Sequence, residues 1–244
     1  GLYVWFNIDE TPVFAEEKAR HVVPKAPLTQ LLRRQRREIA LAAGSCLAAN
    51  SFGYTASTYL VNYAHTHLGY SRNVVLGVGM LDALAGMAFV ALSATLSDRV
   101  GRRRMMLVGS AACLPSSLMV IPLIDTGTPI CYAVAIIGLM APASFGVGPT
   151  AAFIPELFAT GCRYSGTALA ANIASIGGAL PPLIAGALET TYGSWAIGLM
   201  LATIALISMV CTYLLPETSG TTLSGPASRS SVEVENRAGV SPSP

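Results

Sequence analysis

The sequence predicts an all-α membrane protein built on six transmembrane helices, and three observations carry that prediction. Only 11% of the 244 residues are charged and 52% are hydrophobic, whereas a soluble domain is roughly a quarter charged. Apolar runs recur at the length of about 20 residues that crosses a hydrocarbon core of roughly 30 Å. The basic residues fall almost entirely in alternate connections between those runs.

Taken in order, Gly1 to Phe6 reads as the end of an apolar helix, without a basic leader segment. Residues 7–38 are polar and interrupted by Pro12, Pro24 and Pro27. They predict an aqueous linker that ends in the basic run Arg33 to Arg37 along one membrane face. Spans are predicted at 39–63, 74–97, 105–124, 129–153, 166–190 and 195–215. The loop at 64–73 carries His65, His67 and Arg72. The turns at 125–128 and 191–194 are short, and the connection at 154–165 holds Pro155, Glu156 and Arg163. From Glu217 to Pro244 the chain is rich in Ser, Pro and Gly and lacks the apolar residues for a core, which predicts disorder.

The turn after the second span sets the orientation. Asp98 to Arg104 packs one aspartate and four arginines into seven residues between two membrane-length runs. Such a hinge cannot sit in lipid, and cationic loops mark the cytoplasmic side. Lys and Arg number seven in 7–38, four in 98–104, one in 154–165 and two in 216–244, leaving only Arg72 for the outer side. Linker and C-terminus are therefore expected in the cytoplasm, with the chain multi-pass in the plasma (inner) membrane.

Ionisable groups inside the spans are few, and each costs at least about 2.5–3.5 kcal/mol at the bilayer centre. Asp82 lies about 12 Å into its helix at 1.5 Å per residue. It shares a face with Gly79, Gly86, Phe89 and Ser93. It reads either as a proton-titrating or substrate-facing carboxylate or as an aspartate hydrogen-bonded between helices. Glu189, at a helix end, reads as an exposed interfacial charge, and His65 and His67 as solvated loop histidines. Pro142, Gly146, Gly148 and Pro149 predict a kink or break in the fourth span, and Gly177 to Pro182 predict the same in the fifth. Broken helices at membrane depth line cavities; small residues also serve close helix packing. The five cysteines (Cys46, Cys113, Cys131, Cys162, Cys211) have no paired spacing and read as small apolar residues. No metal or cofactor is expected, and nothing points to nucleic acid or to an enzyme: no nucleophile–base pair and no phosphate loop stands out.

Several segments resemble a known family. Leu96-Ser97-Asp98-Arg99-Val100-Gly101-Arg102-Arg103 resembles the loop 8–9 signature of the major facilitator superfamily. Gly148 to Phe158, followed by Arg163-Tyr164-Ser165-Gly166-Thr167-Ala168-Leu169, is similar to its metabolite:proton symporter branch of shikimate, 2-oxoglutarate and proline or betaine transporters. Leu2-Tyr3, Glu10 to Phe14 and Leu214 to Thr218 resemble the branch's helix 6 end, central linker and helix 12 exit. Departures are Ala159-Thr160-Gly161-Cys162, where a Pro-Thr-Arg or similar run is usual after Glu-Leu-Phe, and Thr167, where a small residue is usual.

The resemblance implies helices 7–12 of a twelve-helix proton symporter with a stub of helix 6. It divides the chain into a stub and linker at 1–38, a six-helix domain at 39–215 and a tail at 216–244. The two three-helix repeats would be 39–124 and 129–215. Asp98 would contact the end of the fifth span and hold the outward-open state. Gly101 would permit the tight turn, and Arg99, Arg102 and Arg103 would pair with carboxylates and helix ends. Asn50, Tyr54, Tyr59 and Asn172 would line the cavity, with Asp82 a candidate for proton or substrate. The expected partners are the bilayer, a small metabolite with a proton, and a missing N-terminal six-helix half. The competing expectation is a non-transporting fragment, or a split-gene half that needs a separate partner.

Overall fold

The computed structural model describes residues 35–158 and 162–217. The helix 6 stub, nearly all of the linker and the tail lie outside the described residues. Within them the chain is helical, with no strand: α1 (Arg36–Tyr54), a π-helical segment (Thr55–Leu60), α2 (Val61–Thr66), α3 (Arg72–Val100), α4 (Arg102–Ile124), α5 (Pro129–Val147), α6 (Thr150–Glu156), α7 (Arg163–Tyr192) and α8 (Trp195–Leu214).

Five of these, α3, α4, α5, α7 and α8, are long and apolar enough to cross a membrane. The first predicted span is different. It is one helical run from Arg36 to Thr66, interrupted at its middle by the π-helical turns, a feature frequent at functional sites. The fourth predicted span breaks as expected, at Gly148–Pro149 between α5 and α6. A side chain at Gly148 would meet the Val90 carbonyl of α3 at 2.6 Å. The fifth does not break. α7 runs through Pro181 and Pro182 as a single helix, because a proline removes one hydrogen bond but neighbouring helices support the rest.

Boundaries follow local chemistry. Thr128 caps α5, its side chain accepting from the Cys131 amide at 3.3 Å, with Pro129 at the first turn. Gly101 ends α3 and starts α4 at φ 110° and ψ 138°, a conformation open essentially to glycine alone.

The helices are interlaced rather than stacked in chain order. α1 packs on α7 and α8, α4 packs on α5 and α8, and α3 packs mainly on α5. The middle helix of each three-helix set thus lies against the first helix of the other set. Phe52, Leu60, Val120, Ile124, Tyr132, Leu139, Ile197 and Leu201 are fully buried at the centre. A second cluster, at the end of the bundle that holds the arginine turn, gathers Ile39, Met106, Phe153, Ile154, Phe158 and Leu215. α3 keeps Leu76, Met80, Leu84 and Met87 exposed, and α7 keeps Ile176, Leu180 and Leu183 exposed.

Candidate functional site

α1 and α7 approach closely. A side chain on Gly178 would meet Asn50 Cβ at 2.6 Å and the Ser51 amide at 2.9 Å. Two hydrogens in place of a side chain let the backbones touch. At that crossing Ser175 Oγ donates to Asn50 Oδ1 at 3.4 Å, and Asn50 Nδ2 donates to the Cys46 carbonyl at 3.0 Å.

Two cavities flank the crossing. One, of about 410 Å³, is lined by Tyr54, Thr58, Tyr59, Asn62, Pro182 and Leu183. The other, of about 250 Å³, lies between α1, α4 and α5 and includes Cys46, Asn50, Met106, Ser110, Pro142 and Thr150. Tyr54 and Tyr59 therefore share one cavity and Asn50 lines the other. The π-helical segment supplies Thr58 and Tyr59 to the first. Extra residues in its turns widen the helix and turn these side chains toward α7.

The other sequence candidates stand apart. Asn172 is exposed on α7, with its amide donating to the Ala168 carbonyl at 2.7 Å. Asp82 is half-buried on α3, and neither cavity includes it. Its face does turn toward α5. Ser93 is fully buried, and a side chain at Gly86 would sit 3.2 Å from Ser144 Oγ.

The arginine turn, the candidate latch, forms a compact set of polar contacts at the opposite end. Arg102 is ion-paired and hydrogen-bonded to Glu156 of α6. Arg103 caps the end of α8: Nε donates to the Thr212 carbonyl at 3.4 Å, a second guanidinium N–H donates to the Tyr213 carbonyl, and the guanidinium lies 5.1 Å over the Tyr213 ring. Its amide donates to Glu217 at 3.3 Å. Cations at a helix C-terminus meet the negative end of the dipole. Asp98 pairs with Arg102 at 3.9 Å within its own turn and keeps its side chain 72% exposed. The contact with α7 implied by the resemblance is not made among the described residues, because Asp98 points to solvent one turn before the chain reverses. Arg99 is exposed, with no ion pair among the described residues.

One group was misread from sequence. Glu189 is not an exposed interfacial charge. Its side chain is 19% exposed, accepts from Tyr59 Oη at 2.5 Å, and lies 3.7 Å from His67 Nδ1. His67 in turn stacks on Tyr63 with centroids 4.6 Å apart. Tyr63 donates to Asp125 at 2.9 Å, and Asp125 also accepts from Ser194 at 3.3 Å. The signal was present: Tyr59, Tyr63 and His67 recur every four residues, which aligns them on one helix face.

The sugar (and other) transporter family matches residues 7–226. The chain belongs to that family. Several transport proteins are similar to this chain over most of its length. The inner membrane metabolite transport protein YhjE of Escherichia coli strain K12 is 33% identical over 225 residues, 89% of this chain and 51% of that protein. A putative metabolite transport protein of Haemophilus influenzae is 28% identical over 91% of this chain and 54% of its own length. The proline/betaine transporter of Escherichia coli strain K12 is 27% identical over 92% of this chain and 47% of that protein. These relatives accord with the metabolite:proton symporter branch of the major facilitator superfamily. The chain spans about half the length of the curated relatives it matches.

Proposed function

We propose that this chain is the C-terminal half of a transporter that moves a small organic acid or zwitterionic metabolite by proton symport with alternating access. The observation that carries the reading is the cavity between the π-helical first span and α7, lined by Tyr54, Thr58, Tyr59 and Asn62. It is polar on one wall, and Tyr54 is 39% exposed at its edge. A second six-helix half would supply the opposite wall, covering the exposed apolar faces of α3 and α7. The relatives named for metabolite and for proline/betaine transport support the substrate class.

In this reading the latch works by population shift. Arg102–Glu156 and the Arg103 cap on α8 hold the inner ends together in one state. Asp98 and Arg99 are the members free to change partners, and Gly101 permits the turn. The latch lies on the cytoplasmic side of the inner membrane, as do the linker and the C-terminus. That placement rests on the distribution of Lys and Arg.

A second reading is a half that does not transport alone, either a fragment or the product of a split gene. The half-length match to its relatives favours considering it. Uptake of labelled shikimate, 2-oxoglutarate, proline, betaine and citrate into proteoliposomes under an inward proton gradient separates the two. Gradient-driven uptake by the chain alone means that it builds a working cavity by self-association. Uptake only with a co-reconstituted N-terminal half supports the proposal. No uptake of any probe in either case counts against transport of this substrate class.

A further inference from the structure

A cluster of titratable side chains at the end of the bundle opposite the latch is not used by the transport reading. It joins Glu189 at the end of α7 to His67, the residue that closes α2. We propose that His67 and Glu189 form a pH-dependent clasp, in which protonation of His67 ties the outer end of the first span to α7. The proposal rests on the reading of this end as the outer one.

The geometry has three parts. The first is a hinge. α2 lies beyond the π-helical segment Thr55–Leu60, where the regular hydrogen-bond ladder is replaced by a looser one. The second is the clasp itself. His67 Nδ1 is 3.7 Å from Glu189 Oε1, too long for a hydrogen bond to a neutral ring but within ion-pair range. Stacking on Tyr63 holds the imidazole plane. The third is a link to the cavity. The other Glu189 oxygen accepts from Tyr59, which lines the cavity beside Tyr54 and Thr58.

Imidazole is the side chain whose ordinary titration spans physiological pH, at about 6.5. At acid pH the pair is a charge-assisted contact; at alkaline pH the ring is neutral and the clasp loses its Coulombic part. The neighbouring elements carry other groups. Tyr59 and Tyr63 lie on the same run, and His65 is exposed on α2. Tyr70 lies in the following loop, with Arg72 at the start of α3. Asp125 follows α4, and Tyr192 ends α7. His65 is the other imidazole on α2, so it serves as the control.

The test uses the full chain in lipid nanodiscs and follows deuterium uptake over residues 60–67, corrected for intrinsic exchange. Uptake is expected to be slower at about pH 5.5 than at about pH 8. That difference should vanish in His67→Gln and in Glu189→Gln and persist in His65→Gln; its persistence in a folded His67→Gln, or its absence from the unchanged chain, overturns the proposal. The measurement does not require transport, so failure here is distinct from failure of the transport reading.

Discussion

Arg102 at the start of α4 is ion-paired with Glu156 at the end of α6, and the two side chains are 21% and 18% exposed. The pair joins elements from the two halves of the bundle across 54 positions of sequence. Its partial burial distinguishes it from an exposed surface pair, whose worth is commonly below about 1 kcal/mol.

Glu156→Gln keeps the shape and removes the charge. The unfolding free energy in detergent is expected to fall by about 1–3 kcal/mol, since a partly buried guanidinium loses its counter-charge. The exchanged pair Arg102→Glu with Glu156→Arg should recover part of the loss in a double-mutant cycle. A wild-type unfolding curve for Glu156→Gln would mean the pair is solvated and idle.

Gly101 and Gly127 both have positive φ, at 110° and 72°. They predict different costs. Alanine at Gly101 adopts a glycine-only conformation, and its methyl would sit 3.0 Å from Glu217. A loss of about 1–3 kcal/mol is expected. Alanine at Gly127 meets nothing within 4 Å, so only the milder left-handed penalty of roughly 1–2 kcal/mol applies. Equal thermal shifts for the two variants would refute the distinction.

Gly109 of α4 faces Gly146 of α5 so closely that an added methyl would lie 2.7 Å from its backbone. Gly138, on α5, has open space around it. Gly109→Ala is expected to cost about 1–3 kcal/mol through forced helix separation, whereas Gly138→Ala should be near neutral. Thermal unfolding of both variants, side by side, checks the contrast.

Asp82→Asn, made in a complete transporter, tests the proton assignment. Proton-driven uptake is expected to slow by about 10²-fold or more, the usual lower scale for losing a positioned proton carrier. Membrane insertion should be unaffected. Unchanged pH-dependent uptake would leave Asp82 a structural residue facing α5.

Much of this protein was legible from residue type and spacing alone. Apolar run length set the spans because a bilayer imposes its thickness on every crossing helix. Asp98 to Arg104 marked the turn because charge is excluded from lipid. Gly101 marked its reversal, and Gly148-Pro149 marked the break in the fourth span. Membership in the transporter family was likewise carried by short motifs at those turns.

The site was not legible to the same degree, because its parts come together only through helix pairing. Glu189 meets Tyr59 across 130 residues, and no local pattern specifies that α7 lies against the first span. Gly177 to Pro182 looked like a breaker, yet Gly178 serves the contact with Asn50 and Ser51, and Gly177 the one with Leu47, while α7 stays whole. Asp82 looked like a member of the cavity, but α3 packs on α5 and carries it elsewhere. A residue's type decides whether it can enter the membrane; which partner it meets there is decided by the interlaced packing of the helices.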